Sequence, residues 1–185
     1  MKNIFFIAIA QTFWLGANAQ SIDTIKVKVH DHFMTLYASG EGKPTIILEA
    51  GGGGTHRNWL KVQPAISEFA KVISYDRAGY LKSDSCSLPR DAVIVAKELR
   101  KALTNAGIQP PYILAGWSLG GAFARVFAGL YPKDVVGLLL VDPTPEEFYP
   151  RWEKEIPASP EDDAYMKEVL NSKRAGEREE MKMFD

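Results

Sequence analysis

The residues best suited to chemistry lie in one short segment, Gly-Trp-Ser-Leu-Gly-Gly at positions 116–121. The pattern G-x-S-x-G, set between an apolar strand-like run and a helix-like run, is typical of a serine on a tight strand-to-helix turn. Glycines beside the serine leave room for this turn, in which the serine takes a strained backbone conformation. The helix that follows directs its first N–H groups toward the same point. The segment therefore predicts that Ser118 is a nucleophile for acyl transfer.

A glycine-rich segment, Glu-Ala-Gly-Gly-Gly-Gly at positions 49–54, is the second chemical element. Acyl transfer develops a negative charge on oxygen, which preorganised N–H donors must stabilise. We expect Leu119, the residue after the serine, to supply one donor, and Gly52 to supply the other, with Gly53 as the next choice. Phosphate binding is an alternative use of such glycines, but the Lys-Ser or Lys-Thr of a P-loop does not follow. A merely flexible loop is the other alternative.

Alternating apolar runs predict the elements that position these residues. Strands are expected at 25–29, 33–38, 45–49, 72–75, 112–115 and 135–141, and helices at 59–69, 91–106 and 119–130. Unbroken apolar strands separated by helices indicate an α/β fold with a mostly parallel sheet covered on both faces. The first two strands are predicted to form a hairpin around His30-Asp31-His32. The first helix is predicted to present one apolar face, made of Trp59, Val62, Ile66 and Phe69.

Composition narrows the possible partners. The 185 residues have room for one domain, and the net charge of −1 gives no electrostatic footprint for nucleic acid or an anionic membrane. Cys86 is the only cysteine, so neither an intramolecular disulfide nor a thiolate metal cluster is expected. We expect a small-molecule or peptide substrate, with no metal and no other cofactor. The oligomeric state is not indicated.

The two ends of the chain differ in character from its middle. Lys2, an apolar run over 4–15 and Ala17-Asn18-Ala19 together predict a secretory signal peptide over 1–19, cleaved after Ala19. The run is too short for a stable membrane anchor, so the protein is expected to be exported, to the periplasm or beyond. A buried first helix or an uncleaved anchor is the alternative. Residues 20–145 are predicted to form the core domain, and 146–185 the start of a helical cap or lid.

Four segments together resemble the α/β-hydrolase superfamily. They are the glycine-rich segment at 49–54, Tyr-Asp-Arg-Ala-Gly-Tyr at 75–80 with Ser-Asp at 83–84, the Ser118 segment, and Leu-Val-Asp-Pro at 140–143. Their order and spacing are similar to those of proline-iminopeptidase, esterase and haloperoxidase-like members, over residues 25–150. The resemblance implies the strand order 1-2-4-3-5-6, a nucleophile at Ser118, and a structural role beside the site for Asp76, Arg77 and Ser83. Trp117 and Ala50 stand where histidine is common, but neither position belongs to the triad.

The sequence departs from that pattern at the general base, the histidine that would accept the proton of the serine. Such a serine needs a histidine to take its proton and an acid to orient the histidine, in the chain order Ser, acid, His. All three histidines, His30, His32 and His56, precede Ser118. We therefore interpret the sequence as the N-terminal part of such a fold, without its seventh and eighth strands. Asp142, after the sixth strand, is a less favoured candidate for the acid.

The three histidines have other interpretations. His56 follows the glycine-rich segment, where a surface-loop or substrate-rim position is favoured over a role as base. His30 and His32 could suggest a metal pair, but no Cys or Glu lies near them in sequence, which favours a solvated turn. An open apolar sixth strand invites aggregation, and predicts that the 185-residue chain is poorly soluble or unstable alone.

These features predict a serine hydrolase that cleaves an ester, amide or peptide bond through an acyl-Ser118 intermediate. One alternative is a non-catalytic binding protein that retains the fold. Another is a non-hydrolytic enzyme with the same serine, such as a cofactor-free haloperoxidase or a C–C hydrolase. The intact serine turn and the glycine-rich segment favour the hydrolase, because a binding protein has no use for both.

Overall fold

The computed structural model describes residues 21–145, so the predicted signal peptide over 1–19 and the predicted cap over 146–185 lie outside the described residues. The described chain alternates strands and helices in the predicted order. The elements are β1 (Asp23–Val29), β2 (His32–Ser39), β3 (Thr45–Glu49), a 3-10 turn (His56–Trp59), α1 (Gln63–Ser67), β4 (Val72–Asp76), α2 (Ala92–Asn105), β5 (Tyr112–Ser118), α3 (Leu119–Leu130) and β6 (Val135–Pro143). None of these helices has the length and apolar character needed to cross a membrane.

One six-stranded sheet organises the described chain, in the order β1-β2-β4-β3-β5-β6. The pairs β1–β2 and β2–β4 are antiparallel, and the remaining pairs are parallel. The predicted α/β fold, strand order and N-terminal hairpin are confirmed. Because the carboxyl ends of parallel strands meet at one edge of a sheet, Glu49, Asp76 and Ser118 end neighbouring strands on the same side of the molecule.

Helices α2 and α3 cover the sheet and form its main apolar core. Leu103 of α2 and Phe127 of α3 are fully buried against Tyr112 and Leu36 of the sheet. Helix α2 begins as predicted, because the Asp91 side chain accepts hydrogen bonds from two backbone N–H groups of its first turn, which would otherwise lack partners. These contacts fix the start of α2. Helix α3 begins at Leu119, directly after Ser118 at the end of β5.

The predicted helix over 59–69 is only partly present, and half of its predicted apolar face is formed, since Trp59 and Ile66 pack inward. The chain makes a 3-10 turn and then the short α1, so Val62 and Phe69 are exposed. Gln63 also points inward, and its amide donates to the backbone oxygen of Tyr37 and to the Ser39 hydroxyl. A buried amide is tolerated because its hydrogen bonds are satisfied, and the break between the two turns destroys the helical period.

Strand β6 is one of the two edges of the sheet within the described chain, opposite β1. Its apolar side chains Val136 and Leu139 are 63% and 57% exposed, and the strand begins at the predicted residue and ends two residues after the predicted end. The low solubility of the chain stays a prediction.

Candidate functional site

Ser118 stands at the junction of β5 and α3 in an unusual backbone conformation. It is the last residue of β5 and the N-cap of α3, with φ 52° and ψ −125°. A side chain at positive φ is strained, and such strain concentrates at functional sites. The Ser118 side chain makes no capping hydrogen bond to the helix, so the hydroxyl is not used to satisfy the first turn. The predicted strained turn is confirmed.

The glycines around Ser118 are required by close packing. A Cβ atom added at Gly116 would lie 2.5 Å from the backbone oxygen of Gly120, and one added at Gly121 would lie 2.6 Å from Cβ of Pro143. A Cβ atom at Gly120 would lie 2.5 Å from the backbone oxygen of Glu49. The end of β3, the serine turn and the end of β6 therefore meet with no room for side chains.

The glycine-rich segment lies directly against the serine turn. A Cβ atom added at Gly51 would lie 3.2 Å from Cβ of Ser118, and one at Gly52 would lie 3.4 Å from Cδ2 of Leu119. Leu119 is the first residue of α3, and the first N–H groups of a helix have no partner within it. Among the described residues, the Gly52 N–H donates no backbone hydrogen bond. The structure thus brings together the residues predicted as nucleophile and as N–H donors.

The Arg77 side chain fixes the start of the glycine-rich segment through hydrogen bonds. Its guanidinium donates from Nη1 to Glu49 Oε1 and to the Ala50 backbone oxygen, both at 2.8 Å, and from Nη2 to the Gly51 backbone oxygen at 2.7 Å. A trans peptide directs its C=O and N–H to opposite sides. Because Arg77 draws the Gly51 carbonyl toward itself, the Gly52 N–H of the same peptide points away from Arg77.

Burial makes this arrangement rigid. Arg77 and Glu49 are each 2% exposed, and the guanidinium lies 5.2 Å from the ring centroids of both Tyr80 and Phe123. The Tyr75 hydroxyl donates to the second oxygen of Glu49. A buried charge must be paired and hydrogen-bonded to be tolerated, and here the pairing also fixes two backbone carbonyls.

A second network fixes the other end of the glycine-rich segment. Asp76 is fully buried, and its Oδ1 accepts from the backbone N–H of His56 at 3.2 Å and from His56 Nδ1 at 2.8 Å. Its Oδ2 accepts from the Tyr37 hydroxyl at 2.9 Å, and the Tyr37 and His56 rings stack with centroids 3.6 Å apart. Burial, reinforced by the hydrogen bond to Asp76, raises the pKa of the Tyr37 hydroxyl well above its usual range. His56 is therefore a fixed, mostly buried side chain, which corrects its interpretation as a surface-loop histidine.

A cavity of about 360 Å³ lies over the glycine-rich segment. It is lined by residues 52–54, Thr55, Arg57, Asn58, Tyr80, Leu81 and Trp117. Because Trp117 and Gly52 flank Ser118 and Leu119, a molecule held in this cavity would lie beside the serine turn. His56, between Thr55 and Arg57 in the chain, is not among the lining residues.

Neither Asp142 nor a histidine of the described chain is hydrogen-bonded to Ser118. Asp142 is exposed with φ 44°, at an irregularity where its neighbours Val141 and Pro143 pair with Trp117 and Ser118. Over residues 21–145, no histidine forms a hydrogen bond with Ser118 or with Asp142. The carboxylate partner of His56 is Asp76.

The turn of the N-terminal hairpin differs from its prediction. His30 is exposed, as a solvated turn requires. His32, by contrast, is only 3% exposed and lies beside Glu98, whose Oε1 is 3.6 Å from His32 Nε2. The solvated-turn interpretation is therefore wrong for His32, because β2 begins at this residue and turns its side chain inward.

Sequence reasoning did not identify the contacts of Arg77 and Asp76. A signal for the contact between Arg77 and Glu49 was present. Glu49 ends β3 and Arg77 directly follows β4, and these strands are neighbours in the predicted order. The stacking of His56 on Tyr37 has no comparable signal, because Tyr37 belongs to an antiparallel strand whose register the motifs do not specify.

Comparison with known proteins assigns the fold. The family model described as alpha/beta hydrolase fold matches residues 44–174. The chain is similar to an "AB hydrolase superfamily protein" of Gibberella zeae, with 34% identity over 109 residues, which are 57% of this chain and 34% of that protein. It is also 38% identical, over 114 residues, to "Probable transporter efuK" of Hormonema carpetanum, covering 60% of this chain and 16% of that protein.

A solved structure with a similar fold is the crystal structure of a membrane phospholipase A, described as a bacterial virulence factor. The TM-score is 0.65 with 25% identity, covering 86% of this chain and 58% of that one. The chain thus spans 16% and 34% of these two relatives and 58% of this structure. Together with the strand order and the serine turn, the family match shows that the chain belongs to the α/β-hydrolase fold family.

Proposed function

We propose that the protein is a serine hydrolase that cleaves an ester, amide or peptide bond through an acyl-Ser118 intermediate. The observation that carries this proposal is the strained Ser118 turn, at the start of α3, packed against Gly51 and Gly52 of the glycine-rich segment. A binding surface has no need of a strained serine next to such a segment. The substrate is a small molecule or peptide whose carbonyl group enters from the cavity beside Trp117.

In the proposed mechanism, Ser118 Oγ attacks the carbonyl carbon while its proton passes to a base. The oxygen that becomes negative accepts hydrogen bonds from the N–H groups of Gly52 and Leu119, which are worth most when fixed in advance. The tetrahedral intermediate expels the alcohol or amine, which takes up the proton, and water then hydrolyses the acyl-serine. We propose that the base and its orienting acid follow Ser118 in the full protein, in keeping with the order Ser, acid, His.

Labelling with a fluorophosphonate probe tests this proposal directly. We expect one covalent adduct per protein, attached to Ser118 and abolished in Ser118→Ala. The matched control is Ser87→Ala, which removes an exposed serine and should leave labelling unchanged. Absence of labelling in folded full-length protein would favour the non-catalytic binding protein. Labelling without hydrolysis of any ester, amide or peptide would favour a non-hydrolytic enzyme with the same serine.

We also propose that the mature protein acts outside the cytoplasm. This proposal is based on the charge, apolar run and Ala-Asn-Ala of the first nineteen residues. Amino-terminal sequencing of protein recovered from the cell envelope or medium should begin at Gln20. Recovery of the uncleaved chain in the cytoplasm would contradict it.

A further inference from the structure

A buried cluster of metal-ligating side chains lies outside the serine site. The ligand atoms of His32, Cys86 and Glu98 all lie within 4.8 Å of one another. They come from three separate parts of the chain: the start of β2, the loop between β4 and α2, and the middle of α2. None of the three residues lines the cavity beside Ser118.

The Nε2 atom of the histidine is directed into this cluster without a hydrogen-bond partner. His32 is 3% exposed, and its Nε2 is buried and has no hydrogen-bond partner among the described residues. A buried polar atom in that state costs free energy. Its nearest acidic atom is Glu98 Oε1, at 3.6 Å, which is longer than a hydrogen bond but suits two ligands that share one ion.

We propose that His32 Nε2, Cys86 Sγ and Glu98 Oε1 bind a zinc-class transition-metal ion. Zinc bonds of about 2.0 Å to nitrogen and oxygen and about 2.3 Å to sulfur place tetrahedral ligand atoms about 3.3 to 3.5 Å apart. The observed separations are 3.5 Å between Sγ and Oε1 and 3.6 Å between Nε2 and Oε1. These two separations already suit a shared ion, whereas the third, between Nε2 and Sγ, lies within 4.8 Å and must contract by up to about 1.3 Å on binding. Water completes the fourth position.

The mixed donor set selects the class of metal. One nitrogen, one sulfur and one oxygen suit Zn²⁺ or Co²⁺, whereas Mg²⁺ and Ca²⁺ prefer oxygen ligands alone. Binding replaces the thiol proton of Cys86, which passes to solvent.

Neighbouring side chains support the ligands. Asp31 Oδ1 lies 3.3 Å from His32 Nδ1, on the side of the ring away from the cluster, which is how carboxylates orient metal-binding histidines. Arg90 Nη1 donates to Glu98 Oε2 at 2.7 Å and to Cys86 Sγ at 3.1 Å. The Arg90 contact to Glu98 uses the oxygen that faces away from His32 and can persist, while its contact to sulfur lengthens as the ion binds.

The charges of the loaded cluster also balance. The two charges of the ion and the charge of Arg90 are matched by the Cys86 thiolate, Glu98 and Asp31. The ion would fix the loop between β4 and α2, which carries the cavity-lining residues Tyr80 and Leu81, to β2 and α2. Its proposed role is structural, independent of the chemistry at Ser118.

Cobalt absorption spectroscopy of the reduced full chain tests the site. We expect one Co²⁺ per chain and a near-ultraviolet thiolate-to-cobalt absorption band. Because Cys86 is the only cysteine, this band in the wild-type protein can come from no other residue. Wild-type protein that binds no Co²⁺, or binds it without the thiolate band, would overturn the proposal.

Variants and zinc competition define the other ligands. His32→Asn and Glu98→Gln should each weaken Co²⁺ binding at least about 100-fold, since even supporting residues contribute about 10- to 100-fold. His30→Asn is the matched control, because His30 is exposed on the same turn, and its affinity should equal the wild type. Zn²⁺ should displace Co²⁺ and raise the melting temperature of the wild-type protein in a concentration-dependent way. Equal affinity in His32→Asn and His30→Asn would show that the imidazole of His32 is not a ligand.

Discussion

Two buried arginine–glutamate ion pairs in the described chain have similar geometry but differ in the other groups that each arginine contacts. The Arg77–Glu49 and Arg90–Glu98 pairs have N–O distances of 2.8 and 2.7 Å, and every member is at most 2% exposed. Arg77 also donates to two backbone carbonyls of the glycine-rich segment, whereas Arg90 also donates to a thiol. A buried ion pair contributes little net stability. The role of each pair is therefore indicated by the other groups to which its arginine donates.

Removing each arginine separates stability from chemistry. Arg77→Met and Arg90→Met should each lower the free energy of unfolding by about 3–5 kcal/mol, because each removes the positively charged partner of a buried carboxylate. Arg77→Met should also slow Ser118 labelling by about 100- to 1,000-fold, the cost of a lost oxyanion donor, because the Gly52 N–H is no longer oriented. Urea denaturation and labelling rates corrected for the folded fraction measure the two effects. The comparison fails if Arg90→Met slows the corrected labelling rate as much as Arg77→Met.

The same two pairs show how far the sequence alone could go. Apolar run lengths were enough for the positions of the strands, and the resemblance of the four motif segments to the α/β-hydrolase superfamily implied the strand order. The sequence also put Glu49 and Arg77 on adjacent strand ends. It gave no indication that His32, Cys86 and Glu98 converge, because that depends on the hairpin register, the rotation of α2 and the path of the intervening loop. For the same reason it expected a solvated turn at His32.

Asp76 extends the comparison to a buried carboxylate held by neutral and histidine partners. Tyr37→Phe removes one hydrogen bond to this carboxylate and should cost about 1.5–3 kcal/mol. The raised pKa of Tyr37 means that its stabilisation is complete below the ordinary value of 10.0 and declines as the pH rises toward the folded-state pKa. Above about pH 10, wild-type stability should therefore fall more steeply than that of Tyr37→Phe. Parallel stability curves for the two proteins would contradict this account.

The close packing between α3 and the start of the glycine-rich segment can be tested with two glycines of α3. Gly120→Ala places a methyl group 2.5 Å from the backbone oxygens of Glu49 and Ala50, and overpacking of this kind costs about 1–3 kcal/mol. Gly129→Ala is the matched control, because a Cβ atom there meets nothing within 4 Å, and helix propensity should make it more stable by about 0.5–1 kcal/mol. Thermal denaturation of both variants gives the sign directly. A Gly120→Ala protein as stable as Gly129→Ala would show that the junction has room to move.

The smallest expected change is a gain in stability at the serine itself. Ser118 is held at φ 52° and ψ −125°, and a strained residue of this kind costs about 1–3 kcal/mol. Glycine adopts positive φ freely but loses more entropy on folding, by about 0.5–1 kcal/mol, so Ser118→Gly should be more stable by about 1 kcal/mol while losing all labelling. Ser118→Ala is the control, because it removes the hydroxyl and keeps the Cβ strain, and should match wild-type stability. If both variants are equally stable, the turn stores no strain, and the surrounding close packing alone holds the serine in place.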